Sequence, residues 1–477
     1  MTTDRILAIF SEIICIPRES GNEGHIIAYL QDFAKKHQLD CKTDKVGNVL
    51  ITKEATPGRE SSPTIILQSH SDMVCEKNNG VEHDFAKDPI KAVIEDGWMI
   101  AKETTLGADC GIGIAASLAL LEDNTLEHGK IEALFTVSEE TGMDGAFALT
   151  PDFMSGSILI NLDSEDEGEL FIGCAGGVDT TAHFDYTTKK LDKELLKYKI
   201  GFCGGVGGHS GDDIDKGRAN AIQLLSRSLY KIMKEFNVSL CAIDGGNKRN
   251  AIAREAYAII ALKEEDLKAI RKLHLATAED IKAEYAATEP NIAPIFEEAE
   301  WSDEAIDTQV ALNLVSCFNS APHGVLAMSQ EMKGLVETST NLASVKMVDG
   351  RIRVGTSQRS SINSARHHAA EKVEASFLLA GAEVTHEGEY PGWKPQLKSP
   401  VLELTKKGYR ELFGVEPVVR AIHAGLECGL ILDKYPKLDM ISFGPTIRGV
   451  HAPGERLELA SLDKFNKLLE YVIVNCK

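Results

Sequence analysis

Four short apolar runs, VGNVLIT, TIILQSH, IEALFTVS and SILINLDS, govern what the first part of this chain can become. Helical patterns such as GIGIAASLALLED lie between them. Strand-length apolar runs alternating with helical segments are the pattern of an α/β layer structure. Residues 1–185 are therefore expected to form a three-layer α/β domain. MTTDRILAIFSEIICIP opens it, with Ile6, Leu7, Phe10, Ile13 and Ile14 at amphipathic-helix spacing. Ser20 to Glu23 (S-x-x-E) reads as a capping box, starting a helix that runs to about Lys36.

The pattern then changes. YKIGFCGGVGGHSG reads as a strand entering a glycine-rich loop. RANAIQLLSRSLYKIMKEF follows with Ile222, Leu225, Leu229, Ile232 and Met233 at helical spacing. ASVKMVDGRIRVGTSQRS reads as a hairpin turning at Asp349-Gly350, followed by the helix SARHHAAEKVEASFLLAG. Two β-then-α units imply a second α/β domain over 186–385, inserted as a lid. PVVRAIHAGLECGLI and LDMISFGP then resume the first pattern, so 386–477 is expected to complete the first domain.

A chain of 477 residues is too long for one ordinary domain. Its net charge, 51 − 72 = −21, argues against nucleic acid or anionic membrane as partner. No apolar run spans a bilayer, and the N-terminus lacks a basic region and a cleavage site. The ten cysteines are scattered without a CxxC pair and read as reduced, mostly buried thiols. A cytoplasmic protein is expected.

Acidic and imidazole side chains recur where the strands end. His70 and Asp72 close TIILQSHSD, Asp109 lies in TTLGADCGIG, Glu139 and Glu140 follow IEALFTVS, Asp163 ends ILINLD, and His451 follows MISFG. Ligands of α/β sheets bind at the carboxyl ends of strands. One such residue is ordinary capping or hydrogen bonding; several at separate strand ends point to convergence. Two zinc-like ions carry four positive charges; Asp109, Glu140 and Asp163 with one hydroxide balance them. Imidazole and carboxylate suit zinc, manganese or cobalt. Asp72, two residues past His70, is placed to hold the other imidazole nitrogen.

His70-Ser-Asp72, GADCGIG, SEETGMDG, NLDSE and the late HAP resemble the co-catalytic zinc peptidases related to aminoacylase and carboxypeptidase G. KNNGVEHDFAKDPI, GCAGGVD, GGHSGDDI, RNAIARE, YPGWKP and IHAGLECGL resemble that family's bacterial aminoacyl-histidine dipeptidase group, and the resemblance covers nearly the whole chain. It implies two divalent ions, expected to be zinc with manganese or cobalt as alternatives. His70 and Asp163 would bind one, Glu140 and His451 the other, and Asp109 would bridge them. Glu139 would be general base and then general acid, which explains two adjacent glutamates with different tasks. Cys110 departs from the family's usual asparagine, beside a ligand rather than as one.

The resemblance also makes His209 an oxyanion donor, acting within one chain or across a dimer, with action in cis expected from the large lid. Asn250, Arg254 and Arg359 become substrate residues of the lid, with Arg359 suited to a bidentate grip on an α-carboxylate. Gly425 would let backbone approach the substrate closely, and Glu427 would meet its free amino group. The implied substrate is a small unblocked dipeptide, Xaa-His favoured. A broader aminopeptidase, an N-acyl amino acid amidase and a non-catalytic metal-binding relative remain as alternatives, with monomer and homodimer both open.

Overall fold

The structure is a computed structural model describing residues 1–477. The chain forms two compact α/β units. Unit one comprises Met1–Cys174, Trp393–Ala421 and Leu426–Lys477; unit two comprises Ala175–Gly392 and Ile422–Gly425. These boundaries fall about ten residues from the pattern-based ones at the first crossing and seven at the second, and the short segment Ile422–Gly425 separates Gly425 from Glu427.

Unit one is built on an eight-stranded mixed sheet. Four adjacent strands run parallel, in the order Ile131–Thr136, Ile65–His70, Ile158–Asn161, Asp439–Ser442. The first two are buried along their whole length, as expected of strands covered on both faces. Helix Ala108–Glu122 is apolar all round and almost wholly buried, packing on Ile65–His70 and on the amphipathic helix Thr3–Ile13. Ile6, Ile9, Phe10 and Ile13 form the inner stripe of Thr3–Ile13.

The predicted capping box does not form. The second helix runs Gly24–Lys36 without a side-chain cap. Ser20 instead donates to Asp72 Oδ2 (2.7 Å), and Glu23 Oε1 accepts from the amide and hydroxyl of Ser138 (2.9 Å each). Partners distant in sequence claim both side chains that the local motif would have used.

Unit two carries an antiparallel sheet of nine strands, with Ala221–Glu235, Leu267–Glu284, Thr308–Ser320 and Asn363–Leu379 as its principal helices. Ile222, Leu225, Leu229 and Ile232 of the first helix enter a core with Phe184, Phe202, Phe318 and Phe377. Asn220 caps that helix, accepting from Ile222 N and Gln223 N. The Asp349-Gly350 hairpin has a two-residue loop between paired Val348 and Arg351. Both loop residues have positive φ (54° and 75°), as a type I′ turn requires. No helix in the chain is long and apolar enough to cross a membrane.

Candidate metal centre and substrate residues

The carboxyl ends of the four parallel strands gather the acidic and imidazole side chains of unit one. His70 is the last residue of its strand, Glu139 and Glu140 begin a short helix just past Thr136, Asp163 lies two residues past Asn161, and His451 lies in the segment after Ser442. Asp109 occupies the loop entering Ala108–Glu122, where its backbone is extended (ψ 116°) rather than helical.

Asp109 stands between the two histidines. Its Oδ1 lies 2.9 Å from His70 Nε2, and its Oδ2 lies 3.1 Å from His451 Nε2. Asp163 Oδ1 is 3.3 Å from His70 Nε2, and Glu140 Oε1 is 3.0 Å from His451 Nε2. Each histidine thus has one terminal carboxylate and one oxygen of the shared aspartate. The ligand atoms of His70, Asp109 and Glu140 lie within 4.8 Å of one another.

Charge makes this cluster a candidate cation site. Hydrogen bonds that His451 donates to Asp109 and then to Glu140 push it up to about 11. Burial opposes protonation of His70, but Asp163 and Asp109 carry it well above its ordinary value. Burial, then the neighbouring Asp109, pushes Asp163 up to about 6. A field that binds protons so firmly also favours divalent cations. Glu140 Oε1 and Asp163 Oδ1 are buried beside the imidazole nitrogens of His451 (3.0 Å) and His70 (3.3 Å), and a metal ion would satisfy these oxygens. The His/carboxylate donor set fits zinc-like ions. Cys110 Sγ is also near His70 and Asp163. However, burial pushes its thiol well up, and it donates to the Leu162 carbonyl. A buried neutral thiol is a poorer ligand than the carboxylates beside it.

Asp72 is a hub beneath the cluster. Its carbonyl is 3.1 Å and its Oδ1 3.3 Å from His70 Nδ1, which fixes the ring. The same carboxylate accepts the amides of Glu139 (3.0 Å) and Glu140 (3.2 Å), orienting the paired glutamates. Burial would raise Asp72, but bonds from His70, Ser20 and Glu139 hold it well below the usual carboxylate range. Glu139 is different: burial first, with the charges of Asp163, Glu427 and Glu140, lifts it well above its ordinary value. A carboxyl so raised can take a proton and keep it until needed.

Two positioning residues escaped the sequence reading. Glu455 is 2 % exposed, and its oxygens accept four successive amides, Leu106, Gly107, Ala108 and Asp109. It lies four residues past His451 in HAPGE, so it ties the His451 segment to the Asp109 loop. Arg18 is buried and donates to the carbonyls of Ser71, Asp72 and Gly107. A glutamate at a fixed step from a candidate ligand was the available signal for Glu455; a lone arginine in CIPRES gave none.

Glu427 also belongs to unit one. Its Oε2 already accepts from Gln68 (2.6 Å) and Thr136 (2.7 Å), while Oε1 is buried and unpartnered. Burial pushes its carboxyl up to about 7.

Unit two holds the other candidates. His209 Nδ1 lies 3.3 Å from the amides of both Gly211 and Asp212 and 3.5 Å from Asp212 Oδ2. Arg254 Nε donates to the Gly205 carbonyl (3.2 Å), and its side chain lies against Gly207, bracing the glycine loop. Asn250 is exposed, and its carbonyl accepts Ser210 N (2.8 Å). Arg359 is 9 % exposed and donates to the Tyr390 hydroxyl (3.2 Å). At Gly425 the space a side chain would occupy is filled by the Tyr390 ring, 2.9 Å from the added carbon. The glycine makes room for a tyrosine, a role the sequence reading did not give it.

A family model described as peptidase family M20/M25/M40 matches residues 66–475. The cytosol non-specific dipeptidase of Escherichia coli is 40% identical over 461 residues, covering 97% of this chain and 95% of that protein. The crystal structure of aminoacylhistidine dipeptidase from Vibrio alginolyticus superposes with a TM-score of 0.94 at 38% identity, covering 99% of this chain and 96% of that one. Aminopeptidase PepT from Bacillus cereus shares the fold at 17% identity, with a TM-score of 0.59 and coverage of 99% and 98%.

Proposed function

The chain belongs to peptidase family M20/M25/M40, and from that membership we propose a two-metal dipeptidase that hydrolyses unblocked dipeptides, with Xaa-His favoured. The observation that carries the metal centre is Asp109, which offers one oxygen to the side of each histidine. His70 and Asp163 would hold one ion, Glu140 and His451 the other, with Asp109 shared. Zinc suits the donors best, and manganese or cobalt are alternatives. Bound there, the ions supply Lewis-acid polarisation and a lowered pKa for water.

Glu139 takes the proton of the attacking water and returns it to the leaving amine, which its raised pKa supports. Asp72 keeps His70 and the two glutamates in register. His209 donates to the developing oxyanion. Arg359 grips the substrate's α-carboxylate. Asn250 and Arg254 shape the loops around it, and Glu427 serves the free amino end.

The Escherichia coli relative is called non-specific, which favours a broad range of dipeptides as a second reading. It is also called cytosolic, and the same compartment is proposed here. A panel of Xaa-His dipeptides, other dipeptides, N-acetylated dipeptides and tripeptides, assayed with zinc, manganese and cobalt in turn, tests both readings. Selective turnover of Xaa-His dipeptides supports the first, and even turnover of all free dipeptides the second. Preference for N-blocked substrates would sink both, and so would activity unaffected by removal of metal with a chelator.

A further inference from the structure

Arg359 is a buried guanidinium without a carboxylate at ion-pair distance. Its Nε is unpartnered, and its one side-chain partner is the neutral Tyr390 hydroxyl. The charge of Arg359 is felt by Asp212 beyond ion-pair distance, which leaves the guanidinium free to take an anion that arrives from outside. The question is what completes the grip.

Arg359, Gly177 and Tyr390 form a row across three neighbouring strands, Arg351–Ser360, Gly176–Asp185 and Glu383–Tyr390. Strand spacing sets Arg359 and Tyr390 about 10 Å apart at the backbone. They meet because residue 177 is glycine. A carbon added there would lie 2.6 Å from the Tyr390 ring and 2.7 Å from its hydroxyl oxygen, so the ring lies across the bare backbone. Gly425 clears the other side of the ring. Arg366 pins the strand end, donating to the Tyr390 carbonyl and to Glu389 Oε1 (2.5 Å each). The tyrosine is therefore held on both flanks and along its backbone.

Its hydroxyl accepts from Arg359 Nη1, and the hydroxyl's own proton meets no acceptor in the protein. An aromatic ring lying over a sheet glycine can serve packing alone, but packing does not require a hydroxyl aimed at an unpaired arginine. We propose that Tyr390 is a specificity-determining residue that donates its hydroxyl hydrogen bond to the substrate's C-terminal carboxylate beside Arg359. The inference rests on the assignment of Arg359 to that carboxylate. Two donors on one carboxylate would reject substrates with an amidated end, because an amide nitrogen presents N–H to N–H and O–H donors.

The test compares alanyl-histidine with its C-terminal amide on the metal-loaded wild type, Tyr390→Phe and Arg359→Lys. Phenylalanine preserves the ring between the two glycines, and an unchanged melting curve verifies the fold. The expected result for Tyr390→Phe is a KM for the free acid raised about tenfold, in line with losing a hydrogen bond to a charged group. Its kcat should stay within about twofold, with no change in kcat/KM for the amide. Arg359→Lys should show the same selectivity more strongly. If Arg359→Lys weakens acid and amide equally, the carboxylate assignment itself fails. If Arg359→Lys discriminates but Tyr390→Phe affects both substrates equally, or neither, the arginine acts alone and the Tyr390 proposal is overturned.

Discussion

Replacing Glu455 by glutamine would perturb the candidate metal centre while leaving every candidate ligand in place. The wild-type carboxylate accepts Leu106 N (2.8 Å) and Gly107 N (3.0 Å) at Oε2, and Ala108 N (2.8 Å) and Asp109 N (3.4 Å) at Oε1. A carboxamide keeps one acceptor oxygen and turns an NH2 group toward the other pair of amides. Two buried donors would then lose their acceptor. At about 1–3 kcal/mol each, the loss is roughly 2–6 kcal/mol. Loop relaxation would recover part of it, and that relaxation moves Asp109. The expected outcome is a melting temperature lower by several degrees and a metal affinity reduced about 10–100-fold, as for other partners that orient ligands. Thermal melting of the chelator-treated protein reads the first effect; metal content in chelator-buffered zinc reads the second. Glu455→Asp should fall between wild type and Glu455→Gln, since it keeps two acceptors on a shorter stem. Wild-type melting and wild-type metal affinity in Glu455→Gln would refute the argument that this carboxylate holds the Asp109 loop.

Glu139→Ala should retain metal while losing about a hundredfold or more in turnover, whereas Glu140→Ala should lose metal; equal metal loss in both, measured by elemental analysis, would overturn the division of roles. His209→Ala should keep its metals and melting curve and lose kcat more than substrate affinity. Mixing His209→Ala with Glu139→Ala protein under subunit exchange should give no recovery if the histidine acts within one chain, and recovered activity would show action in trans. His274 is fully buried against Ser228, and burial pushes it down to about 4 from 6.5. Because its folded pKa is depressed, its neutral form is favoured: stability is intact above about 6.5 and is lost as pH falls toward 4. The expected loss between pH 7 and 5 is about 2 kcal/mol, and in denaturant melts the stability of wild type relative to His274→Gln should fall by that amount over the same range if the histidine is responsible.

Much of the candidate site was legible because metal-site chemistry restricts residue types, and strands have a visible end. His70, Glu139, Glu140 and Asp163 each follow an apolar run closely, so periodicity alone put them at strand termini. Asp109 and His451 were harder, since each sits in a loop whose path is set by distant contacts. The Ser20–Glu23 motif shows the limit: its local meaning was a helix cap, yet Asp72 and Ser138 took both side chains.

The sequence by itself determined the α/β character of both units, the turn at Asp349-Gly350, the helices with apolar stripes and the residue types able to bind metal. Those are local properties, fixed by side-chain period, by turn geometry and by ligand chemistry within a few residues. Tertiary structure alone decided that Glu455 would hold a loop 346 to 349 positions earlier in the chain. It likewise decided that Asp109 would stand between His70 and His451, and that Gly177 would let Tyr390 cross a strand to Arg359. These pairings join segments with no common period, and only the assembled sheets bring such segments within hydrogen-bonding distance.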